Sequence, residues 1–133
     1  MILGLKIALI VYGVLGILDG LALIIAPQLF ASMWGFGGIG EMSDFGVNIA
    51  AVCGTSFMAA CVWIIAAARD PLRHILWVKF VIFWSILVVV VQLYSVAKGA
   101  IDFNQAVMGI IGGAILAVAF LILYPYRATR AGQ

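Results

Sequence analysis

The chain has 133 residues, of which 67% are hydrophobic and 9% are charged, and its mean hydropathy is +1.29. Soluble domains carry about 25% charged residues, so this composition excludes an ordinary water-soluble domain. The net charge of +2 comes from basic residues at the ends of apolar segments and does not indicate nucleic-acid binding.

Four apolar segments follow one another, each long enough for a membrane-spanning helix of about 20 residues. They cover residues 5–26, 44–68, 75–97 and 105–126. None alternates polar and apolar residues as a barrel strand would, and backbone groups in lipid must pair within the segment. The sequence therefore predicts one all-α domain over residues 1–133, a four-helix membrane bundle in which consecutive helices are antiparallel neighbours.

The first segment has an acidic residue, Asp19, inside its apolar run GVLGILDGLALIIAP. An aspartate at the centre of a spanning helix costs about 2.5–3.5 kcal/mol, so we expect it to face protein. It shares a helical face with Tyr12 and Gly16. The apolar stretch is longer than that of a signal peptide, and only Lys6 precedes it, so we interpret the segment as a true span.

Polar side chains of two other segments are expected at the depth of Asp19. Asp19 lies about 10 Å below the outer end of its segment. Asn48 and Gln92 lie about 6–8 Å below the outer ends of the second and third segments. The sequence predicts an intramembrane polar cluster that also includes residues sharing these faces, and its members are Asp19, Asn48, Gln92, Thr55, Ser85 and Tyr12.

Several roles are open for this cluster. An uncharged Asp19 could donate a hydrogen bond to Asn48 or Gln92 and hold the helices together. Alternatively, the cluster could be a proton or cation site, a contact for a small polar ligand, or a site for a quinone headgroup. We expect no ion pair between Asp19 and Lys79, because the two residues are about 14 Å apart along the membrane normal.

Glycines form a stripe on the first segment and another on the fourth. Gly13, Gly16 and Gly20 lie on one helical face, as do Gly109 and Gly113. Such spacing lets helix backbones approach closely. We expect packing within the bundle, with docking of a neighbouring subunit as the alternative.

The first connection, residues 27–43, is the only long one. Its first part, PQLFASMWGF, suits a short interfacial helix, and GGIGEMS is expected to form a flexible turn. A connector packed on the membrane surface is preferred to a cover over a site.

Residue types at the ends of the third and fourth helices predict helix caps. Asp70 and Pro71 resemble the N-cap and first residue of the third helix, and Asp102 with Gln105 resembles a capping box for the fourth. Gly99 suits the end of the third helix.

Basic residues favour one orientation. With both termini cytoplasmic, the inner side receives five basic residues and the outer side only Lys98; the five are Lys6, Arg69, Arg73, Arg127 and Arg130.

Residues for catalysis or metal binding are sparse. His74 is the sole histidine, and Cys53 and Cys61 lie about 12 Å apart on one helix, where we expect buried free thiols. The sequence has no phosphate-binding loop and no nucleophile–base pair. We therefore predict a non-enzymatic protein with no cofactor and no metal, whose aromatic residues mostly face lipid or the interface.

Several stretches resemble small bacterial four-helix membrane proteins of the DoxX-like and BphX-like kind. They are the AP that ends the first segment, AARDPLRHILWVKF, GAIDFNQA and YPYR. The resemblance implies a bacterial cytoplasmic-membrane protein, and some DoxX-like relatives are associated with quinone-linked redox complexes. None of these stretches is catalytic, so the resemblance transfers no site residue.

The preferred functional hypothesis is a non-catalytic accessory or scaffold subunit in the lipid bilayer. Its partners would be other membrane subunits or copies of itself. The first alternative is a small transporter or ion-conducting oligomer that uses the Asp19 cluster, and the second is a quinone-associated redox subunit.

Overall fold

A computed structural model describes residues 2–36 and 40–126. These ranges contain no strand and form five α-helices: α1 (Ile2–Ile25), α2 (Pro27–Ala31), α3 (Asp44–Ala67), α4 (Ile75–Ala97) and α5 (Phe103–Leu123). Four of them, α1, α3, α4 and α5, are long and apolar enough to cross a membrane. The predicted all-α four-helix bundle is confirmed.

The four long helices pack as two antiparallel hairpins. Helix α1 lies against α3 along most of its length, and α4 lies against α5 in the same way. Contacts between the hairpins, from α1 to α5 and from α3 to α4, are far fewer. Consecutive helices are antiparallel neighbours as the sequence predicted, but the extent of their packing does not follow the length of the connections, because α1 and α3 pair across the long first connection.

The core between the hairpins is concentrated at one end of the bundle, which we call the terminal end because α1 begins and α5 ends there. It draws on the starts of α1 and α4 and on the ends of α3 and α5, with the buried residues Leu5, Leu9, Cys61, Ile64, Val78, Val81 and Phe120. The opposite end, which carries α2 and the turn between α4 and α5, is the connection end. Close packing at the terminal end leaves space between the hairpins elsewhere.

One predicted helix cap differs from the structure. Helix α4 begins at Ile75, and Asp70 instead closes a separate turn by accepting the backbone N–H of Arg73 at 3.3 Å. The predicted capping of α4 by Asp70 and Pro71 is therefore wrong, because the chain between 68 and 74 forms turns before the helix starts.

The other predicted caps are present. Asp102 and Gln105 form the expected capping box at the start of α5, in which Gln105 Oε1 accepts the backbone N–H of Asp102 at 2.9 Å. Gly99 follows α4 with a φ of +68°, a conformation that glycine adopts without steric cost. Ser43, which the sequence analysis did not single out, caps α3 by accepting the N–H of Gly46 at 3.2 Å.

The first connection contains the expected short helix, α2, followed by a helical turn over Ser32–Phe36. The turn is kinked at Trp34 and Gly35, and Gly35 has a φ of +92°. Gln28 anchors the chain by donating to the carbonyl of Gly40 at 3.0 Å and accepting from the N–H of Met42 at 3.1 Å. The predicted GGIGEMS turn lies partly outside the described residues, at 37–39.

Candidate functional site

A cavity lies between the two hairpins and extends from Ala8 and Phe120, near the terminal end, to Gln92 and Gln105, near the connection end. It has two adjoining compartments of about 570 Å³ and about 680 Å³, one mainly between α1 and α5 and the other mainly between α3 and α4. The two compartments share six of their lining residues, which are Asp19, Trp34, Phe57, Trp84, Val88 and Gly109. We call the two compartments together the inter-hairpin cavity.

The walls of the inter-hairpin cavity are mostly apolar, with a few polar groups. Tyr12 and Ser85 contribute to the first compartment, and Gln92 and Gln105 to the second. Asp19, in contrast, borders both. Among the described lining residues it is the single carboxylate, and none of them is Lys, Arg or His.

Asp19 has neither a hydrogen bond nor an ion pair with any residue in 2–36 or 40–126. Its side chain is half-buried beside the cavity. Lys79 is exposed and gives it no ion pair, in agreement with the separation expected from the sequence. A carboxylate left without a protein partner inside a bundle is available to a ligand.

A row of aromatic rings crosses the bundle and lines the cavity. Tyr12 makes edge-to-face contacts with Phe57 at 6.4 Å and with Phe120 at 5.9 Å between ring centroids. Phe57 stacks with Trp84 at 6.0 Å, and Trp84 stacks with Phe80 at 6.1 Å. These rings belong to all four long helices and so join the two hairpins.

Trp34 lies in the first connection and lines both compartments of the cavity. Its ring contacts Phe30 at 5.9 Å. The neighbouring Gly35 lies so close to the start of α5 that a Cβ atom there would be 3.4 Å from Gln105 Cα. The kink therefore holds Trp34 beside α5, and the connection contributes to the cavity.

The structure brings together four of the six residues predicted for the polar cluster. Asp19 and Gln92 line one compartment, and Asp19, Tyr12 and Ser85 line the other. The Ser85 hydroxyl donates to the carbonyl of Val81 at 2.8 Å, within its own helix. Sequence reasoning thus placed these four side chains on the inward faces of α1 and α4.

Asn48 and Thr55 do not join that group. Both are exposed on α3, and the Thr55 hydroxyl donates to the carbonyl of Ala51 at 2.9 Å within the same helix. The expectation that the second segment turns these groups inward is corrected: its inward face carries Gly54 and Cys61, both buried.

The predicted glycine stripes lie at the seams within the hairpins. A Cβ atom at Gly13 or Gly16 would collide with Ile65 or Cys61 of α3. On α5, a Cβ at Gly109 would meet the amide of Gln92 at 2.6 Å, and one at Gly113 would meet the Ser85 carbonyl at 2.9 Å. The glycines of the two predicted stripes therefore serve packing inside the chain.

Gly20 of the predicted stripe meets a glycine that the sequence analysis missed. A Cβ at Gly54 would lie 2.6 Å from the Gly20 carbonyl oxygen, and one at Gly20 would lie 2.7 Å from the Gly54 carbonyl oxygen. The backbones of α1 and α3 approach closely at this point.

Sequence reasoning also missed the aromatic row. Trp77, Phe80 and Trp84 follow one another at helical spacing, which was a usable signal, but aromatic residues were expected to face lipid.

The two cysteines also differ from each other: Cys61 is buried, whereas Cys53 is exposed and borders the cavity, so the expectation of two buried thiols is wrong for Cys53.

Within the described ranges, no group of three or more His, Cys, Asp or Glu side chains could hold a metal ion. The chain matches no model of a known protein family, no curated protein and no solved structure. The resemblance to DoxX-like and BphX-like proteins stays a prediction, and function has to be inferred from the cavity.

Proposed function

We propose that the protein is a small membrane transporter that binds an amphipathic solute in the inter-hairpin cavity. The observation that supports this proposal is the unpartnered Asp19 carboxylate at the junction of two apolar compartments. The apolar part of the solute would contact the walls, and its polar group would lie near Asp19. This is the sequence-based transporter hypothesis, with Asn48 and Thr55 removed from the site.

The dimensions of the cavity agree with this role. Sites for small molecules have volumes of about 300–1,000 Å³, mostly apolar walls and a few polar groups that orient the ligand. The compartments, at about 570 Å³ and about 680 Å³, lie in this range. Buried residues at the terminal end close the space between the hairpins there, so we infer that solute enters from the connection end or from the lipid.

The arrangement of helices offers a mechanism for movement. The two hairpins have extensive internal seams but touch each other over a much smaller surface. Rocking of one hairpin against the other would leave the seams intact and change which end of the cavity is closed. Rigid-body motion of this kind is common in transporters.

We further propose that the protein resides in a bacterial cytoplasmic membrane with both termini in the cytoplasm. Lys6, Arg69 and Arg73 lie at the terminal end of the bundle, and Lys98 lies at the connection end. Basic residues flanking spans favour the cytoplasmic side. In this orientation Asp19 and Gln92 would line the outer part of the cavity, and Ala8 and Phe120 its inner part.

The accessory-subunit hypothesis loses one of its supports. The described glycine stripes are occupied by packing within the chain, so they are not free to dock another subunit. Short connections agree with either function. Native mass spectrometry after gentle extraction separates them, because stoichiometric foreign subunits would favour the accessory role over the transporter.

Fluorine NMR tests solute binding directly. Of the four tryptophans, Trp34 and Trp84 border the cavity, whereas Trp63 and Trp77 do not, so the latter two report nonspecific effects. With 5-fluorotryptophan in the protein, reconstituted in nanodiscs, we expect tert-butylbenzene to shift the Trp34 and Trp84 resonances saturably. Assignment uses single Trp→Phe variants.

A matched pair of variants identifies the binding place. Gly112 lines the first compartment, and a Cβ there meets no atom within 4 Å, so Gly112→Leu would fill the space. Ala114→Leu adds a side chain on an exposed position of the same helix. We expect the first variant to abolish the saturable shifts and the second to retain them. Nonsaturable shifts in the parent protein, or equal behaviour of the two variants, would contradict the proposed function.

A further inference from the structure

We propose that the solute is a small organic monocation, such as a quaternary or protonated amine with an aromatic or alkyl body. This inference deepens the proposed function and rests on it. Three features of the inter-hairpin cavity support it: the sign of its charge, the chemistry of its walls and the lack of a dense set of oxygen ligands.

The charge of the cavity selects a cation. Asp19 is the single carboxylate among the described lining residues, and no basic residue lines the cavity beside it. A negative group in surroundings of low dielectric attracts a positive ligand strongly and repels an anion. The absence of any described ion-pair partner leaves this interaction to the solute.

The walls favour an organic cation with weakly held water. Five aromatic residues line the first compartment together with Asp19, and they are Tyr12, Trp34, Phe57, Trp84 and Phe120. Aromatic faces attract cations electrostatically, and groups of such rings are used to recognise quaternary ammonium ions. They replace part of the hydration that the cation loses, which aliphatic walls alone cannot do.

Inorganic cations suit the cavity less well. Calcium prefers six to eight oxygen ligands, and magnesium keeps a near-octahedral oxygen shell. The cavity provides one carboxylate, two amides and the Tyr12 hydroxyl, while Ser56 and Ser85 donate their hydroxyl hydrogens to carbonyls of their own helices at 2.9 Å and 2.8 Å. Most of the remaining surface is hydrocarbon or aromatic.

Two probes of equal shape separate charge from size. Phenyltrimethylammonium and tert-butylbenzene differ in having N⁺ or carbon at the branched centre. Binding is measured through the Trp34 and Trp84 fluorine resonances in nanodiscs, with probe concentrations corrected for partition into empty nanodiscs. We expect the cation to bind at least about tenfold more tightly than the neutral probe.

Variants assign this preference to the proposed groups. Asp19→Asn retains the size of the side chain, and we expect it to weaken binding of the cation about tenfold or more while changing that of the neutral probe less than about twofold. Asp19→Glu keeps the charge and should retain the preference. Phe57→Leu should weaken cation binding about threefold to tenfold, and binding of the neutral probe less.

The outcomes distinguish this inference from the proposed function. Saturable binding of tert-butylbenzene with no preference for the cation overturns the inference and leaves the cavity as a binding site. Equal losses for both probes in Asp19→Asn also overturn it. Failure of both probes to bind overturns the inference and the proposed function together. If Asp19→Asn does not fold, the inference is tested by whether the parent protein and Asp19→Glu bind the cationic probe more tightly than the neutral probe.

Uptake into proteoliposomes tests movement of the cation. Radiolabelled phenyltrimethylammonium crosses pure lipid slowly because it carries a fixed charge. We expect protein-dependent uptake that is reduced in Asp19→Asn and in Gly112→Leu, and retained in Ala114→Leu. Selective binding without uptake would refute transport and leave the ligand class standing.

Discussion

An alanine at Gly54 should destabilise the first hairpin through the close approach of α1 and α3. Its Cβ would lie 2.6 Å from the carbonyl oxygen of Gly20 and 3.0 Å from the Cβ of Leu23. A backbone atom and a Cβ cannot rotate away, so the two helices would have to separate. Other contacts along the seam would be lost with this movement.

The size of the effect follows from the cost of overpacking. Adding a methyl group to a closely packed site costs about 1–3 kcal/mol, which lowers the folding equilibrium constant by about 5- to 150-fold. Gly112→Ala is the matched control, because it makes the same chemical change in a helix where the new Cβ meets no atom within 4 Å. For the control we expect no loss of stability, since alanine also favours a helix.

Exposure of Cys61 to a thiol-reactive dye gives the readout. Its side chain is 0% exposed, and it lies against Gly16 in the seam between α1 and α3, so the dye reaches it only when the hairpin opens. Cys53 is exposed and would react from the start, so the assay uses a Cys53→Ser background. Unfolding is followed by titration with sodium dodecyl sulfate in mild detergent.

The expected result is a clearly lower denaturant midpoint for Gly54→Ala than for the parent, with Gly112→Ala unchanged or higher. Equal shifts in the two variants would show that the loss of glycine itself, and not the approach of the helices, sets the effect. An unchanged midpoint in Gly54→Ala would refute the close approach.

Three further predictions concern the connections and the orientation. Ser43→Ala should cost about 1 kcal/mol of unfolding free energy by removing the cap of α3, measured by the same titration. Gly35→Ala should cost about 1–2 kcal/mol because of its positive φ, and it should move the fluorine resonance of Trp34; an unchanged resonance would contradict the role of the kink. An impermeant maleimide should label Lys98→Cys on intact cells and Arg73→Cys only after lysis, in a background without exposed native thiols, and the reverse pattern would contradict the proposed orientation.

Much of the fold could be predicted from hydropathy. The four spanning segments agree with α1, α3, α4 and α5 to within three residues at each end, because lipid demands long, continuous helices. The pairing of α4 with α5 followed from their short connection, whereas α1 and α3 pair across the long first connection. Local details were harder, as the start of α4 shows: Asp70 and Pro71 have the residue types of a helix start, but the chain turns again before Ile75.

The candidate site was only partly predictable, because counting residues gives depth and not direction. Thr55 follows Gly54 by one residue, a rotation of about 100° around the helix. That rotation separates the face packed on α1 from an exposed face, and nothing in the sequence alone showed which face packs. In a soluble helix polar residues would mark the outside, whereas here lipid and core are both apolar, which also hid the aromatic row.

The pairing of neighbours along the chain has a consequence for biosynthesis. Each hairpin is made of two successive spans, so α1 and α3 can join as soon as both have left the insertion machinery, before α4 is complete. Chains generally fold from the N-terminus during synthesis, and local contacts form fastest. Assembly of this protein then reduces to two local steps followed by one docking event, and the inter-hairpin cavity forms only at that last event.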